Sequence, residues 1–142
     1  GLPCDVDYVV SYGRFHGGGD MGKGQAREAE AVRELVRWMR AELGLTFGDL
    51  SRITRASQRT VQRWEGPANT GAPRPGHGAR LAELRDLRRL LRLTFPRHGE
   101  AADWMFAGVP ALQGRRPIDL VRQGAVGEVV GVLAGVQSGV FR

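Results

Sequence analysis

Cysteine is almost missing from this sequence: Cys4 stands alone among 142 residues, so one chain can close no disulfide and assemble no thiolate metal cluster. Histidine is nearly as scarce. His16 has only Asp20 nearby, and His77 and His98 stand without a cysteine or acid partner, which leaves no metal or acid–base constellation to read. No apolar run approaches the roughly 20 residues that span a bilayer, and the start GLPCDVDYVVSYGRF has no basic flank ahead of a sustained apolar core. These shortages predict no membrane partner, no catalytic role, no cofactor and a reducing, cytoplasmic setting.

What is present fits a folded chain, with 42% hydrophobic and 25% charged residues, long enough for one compact domain or two very small ones. The net charge of +6 is unevenly placed. Residues 1–51 carry six basic and eight acidic groups, whereas residues 52–97 carry eleven arginines against Glu65, Glu83 and Asp86. A positive field concentrated in mid-chain suits a polyanionic partner, because arginines displace the counterions condensed on phosphates.

The first 24 residues differ from the rest. Val6, Tyr8, Val9, Val10 and Tyr12 have the makings of a short strand, but Gly17, Gly18, Gly19, Gly22 and Gly24 make the continuation entropically expensive to order, and residues 1–24 are expected to form a flexible arm. From Ala26 to Leu43 the pattern turns helical. Val32, Leu35, Val36, Met39 and Leu43 gather on one face, and Gly44 is placed to end the helix.

Residues 45–66 read LTFGDLSRITRASQRTVQRWEG. Thr46 and Asp49 have capping-box spacing, Leu50 and Ile53 form an inward stripe, and Ser57 caps a second helix that turns Val61 and Trp64 inward. That is a helix-turn-helix unit, its second helix sized for a major groove. With Val61 and Trp64 anchored, Gln58, Gln62 and Arg59 become candidates for base edges, and Arg55 and Arg63 for phosphates. A purely structural or protein-binding helix hairpin is the competing reading.

Residues 66–78 hold three prolines and four glycines and are expected to be a linker or exposed loop. Beyond it, Leu81, Leu84, Leu87, Leu90, Leu91 and Phe95 repeat at helical spacing from Ala79, interleaved with Arg85, Arg88, Arg89 and Arg92. The stripe fits a packed domain helix or a self-association face better than a membrane-surface helix. Toward the C-terminus, Gly99–Met105 suits a short helix, Pro117 opens another with Asp119 in its first turn, and Val126, Val129, Val130, Leu133 and Val136 mark a third. The last residues, Gln137 to Phe141, leave that helix either as an ordinary terminus or as a plug for another protein, and spacing alone leaves both open.

Trp104, the run ALQGRRPIDLVRQG over residues 111–124 and the closing GVF of residues 139–141 resemble the short C-terminal domain of the Xre-type antitoxins of RES-domain toxins, the MbcA/ParS-like family. Its members carry an Xre-like helix-turn-helix ahead of that domain, which the 45–66 segment resembles, so the likeness covers roughly residues 30–141. The resemblance implies an antitoxin that neutralises a cognate RES-domain, NAD-consuming toxin and represses its own operon by binding operator DNA. NAD would then be the toxin's substrate and no ligand of this chain. It further implies DNA-facing roles for Ser57, Gln58, Arg59, Thr60 and Arg63. Toxin-binding roles follow for Gly114, Arg115, Arg116, Pro117 and Leu120, and for a tail of Gln137, Ser138, Gly139, Val140, Phe141 and Arg142. Three positions depart from the family pattern: Arg55 where glycine is common in the turn, Ser51 where a small apolar residue is usual, and Arg116 where Ser or Thr precedes the proline.

The expected organisation is an all-α chain: an arm over 1–24, a helix-turn-helix region over 25–66, a linker over 67–78, and a helical association and toxin-binding region over 79–142. A stand-alone helix-turn-helix regulator that dimerises through its C-terminal helices is the alternative.

Overall fold

The computed structural model describes residues 17–69 and 72–139. Among them all regular structure is helical: α1 (Gly17–Leu43), α2 (Phe47–Thr54), α3 (Gln58–Glu65), α4 (Pro75–Thr94), α5 (Glu100–Met105), a 3-10 turn (Pro110–Leu112), α6 (Pro117–Arg122) and α7 (Val126–Gln137). Among the described residues no helix is long and apolar enough to cross a membrane.

The helix ends follow local chemistry. Gly44, at φ +69°, terminates α1 in the left-handed conformation that favours a residue without Cβ. Pro117 opens α6 at a position whose N–H would lack an intrahelical partner anyway. Two boundaries differ from the sequence expectation. The part of the expected arm from Gly17 onward is helical and continues into α1. Once the apolar stripe from Val32 to Leu43 has formed a nucleus, each residue added upstream gains a backbone hydrogen bond without a new nucleation cost, and this overrides glycine's poor propensity. Likewise α4 starts at Pro75 inside the expected linker, because Arg74 holds an extended N-cap conformation and proline's fixed φ suits the first helical position.

A contiguous core runs through the described residues. Val32, Leu35, Val36, Met39 and Leu43 of α1 join Leu50 and Ile53 of α2, Val61 and Trp64 of α3, the α4 leucines, and Ile118, Leu120, Val121, Val126, Val129 and Leu133 of α6 and α7. The most extensive helix pair is α4 with α7. Leu81, Leu84, Leu87, Leu90 and Leu91 are all buried within the single chain. The leucine stripe is therefore core packing, not an association face. Only Leu93, 61% exposed, stands out on the other side of α4 beside the arginines.

Candidate functional site

The helix-turn-helix unit is built by short-range hydrogen bonds. Thr46 and Asp49 complete the capping box: the Asp49 amide donates to Thr46 Oγ1 and the Thr46 amide to Asp49 Oδ2, both at 3.0 Å. The turn passes through Arg55 at φ 62°, ψ 21°, left-handed backbone that costs a side-chain-bearing residue about 1–2 kcal/mol. Three bonds hold it there. The Arg55 amide donates to Ser51 O at 2.8 Å, Ser51 Oγ donates to Ala56 O at 2.6 Å, and Thr54 Oγ1 accepts from the Ala56 amide at 3.3 Å. Two family departures, Arg55 and Ser51, thus meet in one turn, where the Ser51 hydroxyl supplies a bond that an apolar residue lacks. Sequence spacing gave no sign of it.

Ser57 then caps α3, accepting from the Thr60 amide at 3.1 Å while its hydroxyl donates to Thr60 Oγ1 at 3.0 Å. Val61 and Trp64 are buried, and Arg40 of α1 fixes the far end of α3 through both Glu65 carboxylate oxygens at 2.7 Å. The outward face carries the expected set: Arg55, Ser57, Gln58, Arg59, Gln62 and Arg63 are exposed and Thr60 is partly so. Among the described residues no acid pairs with Arg55, Arg59 or Arg63. A preordered helix with free guanidiniums and side-chain amides on one face has the chemistry of a nucleic-acid reader.

Asp49 also joins this unit to the C-terminal half. Its carboxylate lies 3.4 Å from Arg52 and 3.6 Å from Arg122 of α6, and Arg52 donates to the Arg122 carbonyl at 3.2 Å. Burial pushes the Asp49 pKa up, but the Thr46 hydrogen bonds and the Arg122 and Arg52 charges outweigh it and hold the carboxyl below the usual aspartate range. A depressed folded-state pKa contributes stability that is present above the unfolded value, about pH 3.9, and lost as pH falls through the folded value. Asp49→Asn should therefore lower stability at pH 7 by about 1 kcal/mol or less and flatten the acid limb below pH 4. Thermal unfolding of both proteins at neutral and acid pH measures this. An unchanged acid limb in the variant would show that Asp49 does not carry the coupling.

In the C-terminal half the chain reverses tightly before α6. Gln113 and Gly114 both have positive φ, 58° and 79°. Gly108 passes so close that a Cβ there would lie 2.6 Å from the Gly114 carbonyl oxygen. The Gly114 amide donates to Val109 O at 2.9 Å and the Val109 amide to Arg115 O at 3.1 Å, closing the loop. Gly114, Arg115 and Arg116 emerge exposed, whereas Pro117 and Leu120 are buried and act as support beneath them.

Arg116 is the N-cap of α6, and its guanidinium donates to both Asp119 carboxylate oxygens at 2.9 and 2.8 Å. The Arg116 side chain therefore makes no capping bond to the α6 amides; instead its hydrogen bonds and charge lower the Asp119 pKa, and those of Asp119 raise that of Arg116. Phe106, 39% exposed, lies between Arg116 and Arg122, each guanidinium 5.9 Å from the ring centroid. Arg115, Arg116 and Arg122 line a 570 Å³ cleft that extends to Arg52 of α2. Sequence reasoning missed Phe106 and Arg52 here, since no periodicity links them to the 114–120 loop.

Of the expected tail, Gln137 is the last residue of α7, and its Nε2 donates to Thr94 Oγ1 at 2.7 Å, tying the ends of α7 and α4. Ser138 is exposed, its hydroxyl donating to Gly135 O at 3.0 Å, and Gly139 has φ +83°. Val140, Phe141 and Arg142 lie outside the described residues, as do residues 1–16 of the expected arm.

No family model matches the sequence. Individual relatives do. The mycobacterial cidal antitoxin MbcA of Mycobacterium tuberculosis and that of Mycobacterium bovis are each 36% identical to this chain over 99 residues, 70% of this chain and 85% of the relative. A probable mycobacterial cidal antitoxin of M. tuberculosis is 37% identical over 78 residues, 55% of this chain and 64% of that protein. Among solved structures, a chain in the crystal structure of the M. tuberculosis MbcT–MbcA toxin–antitoxin complex matches with a TM-score of 0.52 and 33% identity, covering 78% of this chain and 96% of that one. The similarity thus covers most of this chain and most of these relatives, and the chain belongs to the family of the mycobacterial cidal antitoxin MbcA.

Proposed function

We propose that this chain binds and neutralises a cognate RES-domain, NAD-consuming toxin in the cytoplasm and represses its own operon through the exposed face of α3. The observation that carries the neutralising half is the match over 96% of a chain taken from a toxin–antitoxin complex. Kinship is with antitoxins and not with a catalytic domain. The toxin-facing surface, in this reading, combines the arginine-flanked Phe106 patch and the neighbouring 114–120 segment with the tail from Gln137 to Arg142. Aromatic and arginine side chains are the usual anchors of protein interfaces, and an exposed Phe between two guanidiniums supplies both. The operator-facing surface is Arg55, Ser57, Gln58, Arg59, Thr60, Gln62 and Arg63, with repeated half-sites read by more than one copy of the chain.

Co-expression with the neighbouring gene tests the assignment. The expected result is a stoichiometric complex that survives affinity purification and size exclusion. A chain that elutes without a partner yet binds its own promoter would instead be a stand-alone regulator.

A further inference from the structure

The cationic face of α3 continues onto a neighbouring element. After α3 the chain folds back so that His77, in the first turn of α4, meets Trp64 edge to face, ring centroids 5.7 Å apart. The connecting loop is held from beneath. Arg33 of α1 donates to the Gly66 and Asn69 carbonyls at 3.3 and 3.0 Å, and buried Asn69 donates its side-chain amide to Trp64 O at 3.4 Å. These contacts shape a cleft of about 480 Å³, lined by Thr60 and Arg63 of α3 and by Arg74 and His77 of the segment that follows.

Among the described residues no carboxylate lines this cleft. Among the described residues, neither Arg63 nor Arg74 pairs with an acid, and both are exposed. Two guanidiniums that share one polar cleft repel each other, and an anion between them turns that repulsion into charge-assisted hydrogen bonds. Thr60 Oγ1 accepts from Ser57, so its own proton is available to a third acceptor. The chemistry selects a tetrahedral oxyanion with several acceptor oxygens. Beside a helix presented to a DNA groove, the backbone phosphodiester is the source at hand.

We propose that this cleft is a phosphate clamp, in which Arg63, Arg74 and the Thr60 hydroxyl hold one backbone phosphate of the DNA whose groove α3 enters. The inference rests on the operator-binding reading and extends the contact surface past the helix-turn-helix to Arg74. A clamp of this kind fixes the register of α3 and carries no sequence information.

The test is a salt titration of binding to a duplex spanning the promoter of the chain's own operon and to an unrelated duplex of equal length. Arg74→Ala should weaken both about equally, roughly tenfold at low salt, and reduce the slope of log affinity against log salt by about one. Arg74→Lys should keep the slope. Arg59→Ala, outside the cleft, should mainly lower the preference for the promoter. If Arg59→Ala relaxes that preference while Arg74→Ala changes neither affinity nor slope, the clamp is wrong and operator binding stands. Wild-type protein that binds neither duplex overturns both. Binding of inorganic phosphate that depends on Arg74, with DNA affinity unmoved by Arg74→Ala, would assign the cleft to a free anion and likewise overturn the clamp.

Discussion

Leu91→Asp should abolish the cooperative fold. Leu91 is 0% exposed, next to Leu84, Leu87 and Leu90 on the face of α4 that packs into the core. An aspartate there would bury a carboxylate with no cation to meet it or force the α4 packing apart. Either outcome costs several kcal/mol beyond the lost leucine contacts, against a typical total stability of about 5–15 kcal/mol. Far-UV circular dichroism and thermal melts should show most helical signal lost and no sharp transition at 25 °C. A variant that keeps its helix content and its melt but dissociates from a larger assembly would put Leu91 on a surface between copies and contradict the core described above.

The leucine stripe is ambiguous in sequence. Leucines at helical spacing say that one face of a helix avoids water, but the same spacing serves a helix covered by its own chain and one covered by a second copy. Only the opposing apolar faces of α1, α2 and α7 decide it. The caps were legible because they are local: Thr46 with Asp49, Ser57 with Thr60, Gly44 and Pro117 each act within a few residues. The outward face of α3 was legible for a related reason, since burying Val61 and Trp64 leaves the intervening side chains to solvent.

The start of α1 at Gly17 was not legible, because helix growth from a formed nucleus overrode the local glycine signal that composition reports. The Phe106 patch escaped too. It exists only because Gln113 and Gly114 turn the chain back through positive φ, a tertiary consequence that no helical period encodes. The toxin-binding roles of the 114–120 segment and the tail came from resemblance to a family and not from residue pattern.

Removing residues 138–142 should separate holding the toxin from silencing it. Gln137 closes α7 against Thr94, so the deletion begins where the helical packing ends and should leave the melt nearly unchanged. If Phe141 and Arg142 enter the toxin's NAD cleft, their loss removes an aromatic anchor and a charged contact, and inhibition should need roughly tenfold or more protein. The Phe106 and Arg116 surface would still retain the partner. Full inhibition by the truncated chain at the same concentrations would take the tail out of the inhibitory contact.

Neutralisation of the cognate toxin is tested most directly by an activity titration. The purified, untruncated chain is added stepwise to its cognate toxin while NAD consumption is followed. The predicted result is a linear fall to background that breaks at a fixed stoichiometric ratio, as tight complex formation requires. NAD consumption that continues unchanged in a molar excess of folded chain would contradict it.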